Sequence, residues 1–155
     1  MEGVTLTAAE VTRVRAVLYL NGLRGPDLDD AMQDVNLRLL ENATHVEHRG
    51  AWSCAVATRV ALDRHRSSRR RGAAFERLRL HRNELHDDPD LALKHSVRAA
   101  LRRLDPDLRA TVVLRYYADL QVGEIADLLH VAEGTVKSRL HRAAAILRHE
   151  LGSDR

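Results

Sequence analysis

The chain has 155 residues, 45% of them hydrophobic, and its 25 Lys and Arg against 22 Asp and Glu give a formal net charge of +3. This composition is typical of a globular protein and excludes a disordered one, while aromatic residues at 3% leave the core to Leu, Val and Ala. The single cysteine excludes an internal disulfide and a multi-thiolate metal site. No apolar run approaches the roughly 18 residues of a membrane span, so we expect a protein of the cytoplasm.

The N-terminal region begins with a capping box. Thr7 and Glu10 stand three residues apart ahead of an apolar helical pattern, which predicts a helix from about Ala8 to Leu20. Turn residues at 21–26 should end it. A second helix should begin near Asp27, because acidic residues in a first turn face the positive end of the helix dipole. Its expected buried stripe comprises Met32, Val35, Leu39 and Leu40.

A third helix is expected from about Ala51 to Arg66, with residues 67–72 closing it and the polar stretch 42–50 forming a loop before it. This completes a three-helix domain at residues 1–71, which is small but can bury a modest core. Residues 72–88 are polar and have poor apolar periodicity, so we assign them to a linker.

Four more helices are expected in residues 89–155. Asp88-Pro89 and Asp105-Pro106 each place Pro in a first turn behind Asp, which is a helix-start signal. The second of these helices should continue an apolar face through Leu108, Val112 and Tyr116. Because no segment shows the alternation of a strand, we predict an all-α protein of two small helical domains joined by a polar linker.

The last two helical patterns lie on either side of a short break at residues 130–133. Two short amphipathic helices joined by so tight a turn must cross steeply, which defines a helix-turn-helix, and small Ala126 suits the crossing point. The two stripes comprise Val122, Ile125, Ala126 and Leu129, and then Val136, Leu140, Ala143 and Leu147.

The outer side of the last helix carries hydroxyls and cations. With Val136 turned inward, a rotation of about 100° per residue places four residues on the far side, Thr135, Ser138, His141 and Arg142. Lys137 and Arg139 flank them. Arg and Lys can pair there with guanine edges in a major groove, and hydroxyls with phosphates. A solvated basic face on an ordinary helix pair is the alternative. The sequence E-I-A at 124–126, followed by G-T-V-K-S-R-L at 134–140, favours DNA binding. We call this set the recognition face: Thr135, Lys137, Ser138, Arg139, His141 and Arg142.

Residues 104–151 resemble region 4 of bacterial sigma factors of the extracytoplasmic-function (ECF) type, most specifically in the sequence G-T-V-K-S-R-L at 134–140. The resemblance implies a helical domain that recognises the −35 promoter element through the recognition face. One residue departs from the family pattern. His130 stands where glycine is usual, at a position that often needs a positive φ.

Residues 30–39, D-A-M-Q-D-V-N-L-R-L, are similar to the sigma region 2.2 signature D-L-V-Q-D-V-F-L-R-L. In the family this helix docks on the coiled coil of the polymerase β′ subunit, and polar groups around a small apolar centre suit such a contact. From the residues alone, a solvated acidic helix is the alternative. The docking face comprises Asp30, Gln33, Asp34, Leu37 and Arg38.

Residues 51–66 resemble sigma regions 2.3 and 2.4, which open and hold the −10 element. This task needs cations along the strand and an aromatic platform or pocket for extruded bases. Trp52 is the candidate platform; if it is a core residue instead, base capture falls to the loop at 42–50. Asn36 and Arg59 depart from the family pattern. The opening face comprises Arg49, Trp52, Arg59, Asp63, Arg64, Arg66, Arg69, Arg70 and Arg71.

Together these resemblances imply a sigma factor that binds core RNA polymerase through the β′ coiled coil and the β flap, recognises −35 and melts −10 without catalysis. A free-standing helix-turn-helix regulator is the alternative, although such proteins usually dimerise and no further dimerisation helix is evident. No cofactor or metal is expected, because no Cys/His ligand spacing occurs. An anti-sigma partner is implied by the resemblance alone.

Overall fold

The computed structural model describes residues 5–42, 49–71 and 95–152, and within these ranges every regular element is a helix. The all-α prediction is confirmed. The chain divides into two compact units, Met1–Asp90 and Leu91–Arg155. The predicted linker at 72–88 and the predicted helix start at Asp88-Pro89 lie outside the described residues, so the domain bounds 1–71 and 89–155 stay predictions.

The first unit contains α1 (Ala8–Leu20), α2 (Gly25–Glu41) and α3 (Arg49–Arg71). Both α1 and α2 pack against α3 as well as against each other. The centre is made of small and branched apolar side chains, in keeping with a chain that is poor in aromatics. The most buried of them include Val14, Val17, Leu18, Val35, Leu39, Cys54, Ala57 and Val60.

The ends of α1 are set by local hydrogen bonds. At its start, the Glu10 N–H donates to Thr7 Oγ1 at 3.2 Å and the Thr7 N–H donates to Glu10 Oε2 at 2.7 Å, which confirms the capping box. At its end, Gly22 adopts φ 95°, and the Leu23 N–H donates to Leu18 O at 3.0 Å. This is a Schellman motif, in which glycine takes the left-handed position without steric cost.

Three helix boundaries differ from those predicted. Helix α2 begins at Gly25, two residues early, because Pro26 is tolerated in a first helical turn, where its missing N–H has no partner to lose. Helix α3 begins at Arg49 and continues through the segment expected to close it, as far as Arg71. Arginines in its last turn face the negative end of the helix dipole, which favours this extension.

The second unit contains α4 (His95–Arg102), α5 (Pro106–Val112), a π-helical segment (Val113–Tyr117), α6 (Val122–Leu129) and α7 (Glu133–Gly152). Helix α7 packs against α4, α5 and α6. The described α-helices of this unit thus number four, as predicted. The core residues with the lowest exposure include Ala110, Val113, Leu114, Ile125, Val136 and Ala143.

The π-helical segment overturns one predicted core residue. Tyr116, expected to continue the apolar face of α5, is 73% exposed. The periodicity argument assumed α-helical geometry, whereas a π turn closes its hydrogen bonds over five residues and shifts the register of the side chains that follow. Shortly after the segment, Asp119 adopts φ 58°.

Candidate nucleic-acid interface

The turn between α6 and α7 is a second Schellman motif. His130 adopts φ 55° and ψ 46°, the left-handed region, and its N–H donates to Asp127 O at 3.4 Å. The Val131 N–H donates to Ala126 O at 3.0 Å. These two bonds satisfy carbonyls at the end of α6 and fix where α7 begins. The positive φ predicted at His130 is confirmed, with histidine in a position where glycine is the usual residue.

Helices α6 and α7 pack against each other. Ile125, Val136 and Ala143 are 0% exposed and Ala126 is 4% exposed, so the centre of the predicted seam is buried. The other members of the two predicted stripes are only half-buried: Val122, Leu129, Leu140 and Leu147. At the start of both helices, a Cβ added to Gly123 would lie 3.2 Å from Glu133 Oε1, a contact tighter than side chains usually make. Glu133 Oε1 is the end of an exposed, flexible side chain that can move aside, so this contact alone does not require glycine at position 123.

The recognition face lies on the first three turns of α7, opposite Val136. Four of its members are exposed, while Thr135 and Arg139 are half-buried. The Ser138 hydroxyl donates to Thr135 O at 3.0 Å, which ties one hydroxyl to the helix itself. Two hydroxyls and three cations thus share the N-terminal half of a single helix, with exposed positions at Lys137, Ser138, His141 and Arg142.

The opening face follows α3. Six of its members are exposed, and Trp52, Arg49 and Arg64 are half-buried. The exposed members occur in a row at helical spacing and at the end of the helix: Arg59, Asp63, Arg66, Arg69, Arg70 and Arg71. No buried residue occurs in α3 after Leu62, so this cationic end contributes little to the apolar core.

Two half-buried arginines of the opening face bind carboxylates within the unit. Arg49 Nη2 lies 3.3 Å from Glu10 Oε2 and also donates to Thr5 O. The backbone hydrogen bond from Thr7 does most to lower the pKa of Glu10. Burial opposes it, while the Thr7 hydroxyl and the Arg49 charge lower the pKa further. Arg49 therefore ties the start of α3 to the start of α1. Arg64 Nη2 lies 2.8 Å from Asp34 Oδ2, on the neighbouring α2.

The docking face lies on the outer side of α2. Asp30, Gln33, Leu37 and Arg38 are exposed, and Asp34 is half-buried. Leu37 is 57% exposed, which leaves a large apolar side chain among charged neighbours. Such an arrangement is typical of a contact site for another protein.

Each of the two units resembles a different part of known proteins. Residues 7–71 match the family model for sigma-70 region 2, and residues 94–147 match that for sigma-70 region 4. The chain is 32% identical over 154 residues to the ECF RNA polymerase sigma factor SigL of Mycobacterium tuberculosis, covering 90% of this chain and 87% of that one.

The chain belongs to the ECF sigma factors.

Other relatives of this ECF sigma factor match shorter parts. It is 34% identical over 110 residues to the ECF sigma factor BldN of Streptomyces coelicolor, covering 68% of this chain and 42% of that one. Among solved structures, RpoE from Bartonella quintana, crystallised with the anti-sigma factor NepR, shares the fold at a TM-score of 0.69 and 21% identity, covering 95% and 94% of the two chains. CnrH, in complex with the cytosolic domain of CnrY, does so at 0.64 and 24%, covering 96% and 86%.

One residue of this ECF sigma factor that was predicted to be buried is exposed. Leu40 was expected in the buried stripe of α2 but is 56% exposed. It follows Leu37 by three residues, which places both on one helical face, while buried Leu39 and Val35 lie on another. The spacing of Leu40 from Leu37 was the available signal. The two leucines form one exposed apolar pair beside the docking face.

The described ranges offer neither a cluster of metal ligands nor a membrane-spanning helix. Among those residues no group of three His, Cys, Asp or Glu side chains could hold a metal ion. None of the helices described is both long enough and apolar enough to cross a membrane.

Proposed function

We propose that this RNA polymerase sigma factor binds core polymerase through α2, recognises a −35 element through α7 and opens the −10 element with α3. One observation carries the proposal: a single chain contains matches to both sigma region 2 and sigma region 4, and each unit presents an exposed cationic helix face. The energy for opening comes from binding the extruded strand, so the protein itself performs no catalysis and acts in the cytoplasm with polymerase.

Recognition of −35 rests on the N-terminal half of α7. Lys137 and Arg142 are exposed there and can donate to guanine edges or phosphates in a major groove. Replacing either with Ala should weaken −35 binding by about 1–3 kcal/mol for each base-specific hydrogen bond that the substitution removes. Arg148→Ala is the matched control, since Arg148 is exposed on the same helix, outside the recognition face.

The test is run-off transcription with core polymerase on a library of promoter fragments. Lys137→Ala and Arg142→Ala should change or weaken the preference at −35 positions, whereas Arg148→Ala should leave it as in the wild type. Unchanged −35 preference in both recognition-face variants would contradict the assignment.

Opening of −10 rests on the arginines of α3 and on Trp52. A half-buried Trp still exposes part of its ring, on which an extruded base can stack. Thymines of the −10 region should become reactive to permanganate in the wild-type open complex. Trp52→Ala should reduce that reactivity while leaving −35 protection in place; full reactivity in the variant would assign base capture to another part of the unit.

The partners follow from the same surfaces. The docking face should contact the β′ coiled coil, and the second unit the β flap. An anti-sigma factor is a further proposed partner, since RpoE of Bartonella quintana was solved with its anti-sigma factor NepR. Pull-down of core polymerase by the tagged chain, with and without Leu37→Asp, tests the docking face directly.

A free-standing regulator is the competing function, and family membership does not favour it. The two differ in what is needed for tight binding to promoter DNA. The purified chain alone should bind a promoter fragment weakly and should bind it specifically once core polymerase is added. Tight, specific gel shifts by the chain alone would favour the regulator instead.

A further inference from the structure

Side chains of the docking face pair with side chains of the opening face. Asp34, on α2, belongs to the surface proposed for polymerase, and Arg64, on α3, to the surface proposed for the −10 strand. Their closest atoms, Asp34 Oδ2 and Arg64 Nη2, are 2.8 Å apart, and the two side chains are 47% and 30% exposed. Arg38 and Asp63 repeat the arrangement nearby, at 3.9 Å. Two surfaces with separate proposed partners are therefore joined by ion pairs.

The shorter pair turns Arg64 away from the other arginines of its helix. Arg59, Arg66 and Arg70 follow one another at helical spacing along the exposed side of α3. Arg64 instead hydrogen-bonds to the neighbouring helix through one end of its guanidinium. While that bond is made, the carboxylate cancels much of the charge that a phosphate would meet. A phosphate that approaches Arg64 must therefore compete with the charge of Asp34.

We propose that Asp34 masks Arg64 in the free protein and that binding of polymerase to Asp34 releases Arg64 for the promoter strand. A cation of polymerase that pairs with Asp34 takes the carboxylate away from Arg64. Binding of polymerase and binding of single-stranded DNA are then coupled, and by thermodynamic reciprocity each strengthens the other by the same factor. This inference rests on the proposed function for its two partners, although the masking itself is a property of the free chain.

Asp34→Asn is the decisive variant, because it removes the carboxylate charge and retains the side-chain size. Asp29→Asn is the matched control. Asp29 lies on the same helix and pairs with Arg15 on α1 at 3.2 Å, so its replacement removes the same net charge without touching α3. The probe is a fluorescein-labelled single-stranded 12-mer of mixed sequence, followed by anisotropy across a salt series, with circular dichroism to verify folding.

In the free protein, Asp34→Asn should bind the 12-mer about two- to fivefold more tightly than Asp29→Asn, the range expected when a partly exposed ion pair no longer competes. One additional phosphate contact should also steepen the dependence of log K on log salt by about 0.7. Adding Arg64→Ala to Asp34→Asn should abolish both gains. Equal affinities and equal slopes for the Asp34 and Asp29 variants would overturn the masking.

The same measurement on the holoenzyme tests the coupling. With core polymerase bound, wild-type Arg64 is already released, so the advantage of Asp34→Asn should vanish. A gain that persists undiminished in the holoenzyme would overturn the coupling. If the wild-type chain does not bind core polymerase at all, the proposed function fails, and the free-protein comparison still decides whether Asp34 masks Arg64.

Discussion

At position 130, glycine should make the protein more stable than alanine does, which reverses the usual order of these two residues within a helix. His130 holds a left-handed conformation, φ 55° and ψ 46°, at the end of α6. Glycine adopts that region freely, whereas the Cβ of alanine meets the following carbonyl oxygen. At Ala145, an exposed position inside α7, the helical backbone instead favours alanine.

The size of the inversion follows from two opposing terms. The left-handed conformation costs a residue with a Cβ roughly 1–2 kcal/mol. Glycine loses about 0.5–1 kcal/mol more backbone freedom on folding. His130→Gly should therefore be more stable than His130→Ala by about 1 kcal/mol. Ala145→Gly should lose about 1 kcal/mol relative to the wild type, so the sign at position 145 is the opposite.

Thermal and urea unfolding of the full chain measure the difference. Circular dichroism follows both units, while fluorescence of Trp52 follows the first unit alone, because it is the single tryptophan. His130→Gly should melt about 4–8 °C above His130→Ala in the circular dichroism signal, without a change in the Trp52 transition. A His130→Ala protein as stable as His130→Gly would refute the assigned backbone strain.

Three further outcomes are expected. The pKa of Glu10 is lowered from its ordinary value of 4.5, so the stability that the carboxylate adds is present above that pH and is lost as the pH falls through the lowered pKa. The difference in urea stability between the wild type and Glu10→Gln should therefore shrink on acidification. A difference that grows would contradict the capping-box account. Burial raises the pKa of the Cys54 thiol to about 11, so iodoacetamide at pH 8 should label it slowly in the native state and quickly in urea, and equal rates would contradict its burial. Val136→Ala should cost about 2 kcal/mol in urea unfolding, since it empties part of the α6–α7 seam, and a loss below half of that would mean the seam can collapse.

Helix ends were predicted correctly where the signal lies within a few residues of the end. The limits of α1 were predicted correctly because its cap and its turn are encoded within a few residues of each end. The end of α3 was missed because serines and arginines carry no strong stop signal, and a favourable dipole interaction can extend a helix that propensity leaves undecided. The positive φ of His130 was expected from the family pattern rather than from the residue itself.

Periodicity failed where the helix geometry or the register changed. Leu40 was assigned to one buried stripe with Met32, Val35 and Leu39, yet it lies a rotation of about 100° beyond Leu39 and is exposed. Tyr116 was assigned inward because the pattern assumed α-helical spacing through a π-helical segment. The apolar pattern of a single segment does not reveal a π-helical turn, whereas the spacing of Leu40 from Leu37 could have indicated an exposed leucine pair.

The pairing between candidate residues could not be predicted from the sequence. The two partners in Arg64–Asp34 are separated by 30 residues, and those in Arg49–Glu10 by 39. Which carboxylate meets which guanidinium depends on how the helices pack, and the chain offers many acids to each arginine. The sequence therefore identified Arg64, Asp34 and Arg49 as chemically suited to DNA or protein contacts without revealing the ion pairs that they make within the unit.

The 23-residue length of α3 has a consequence for how such a protein can evolve. The residues up to Leu62 supply its buried contacts, and from Asp63 onwards none is buried, although His65 still meets Asn21 O at 2.6 Å. One continuous helix thus divides between a packed stretch and a stretch in which no residue is buried. Substitutions in the second stretch should cost the unit little stability, so its surface chemistry can change from one generation to the next while the packed stretch stays the same.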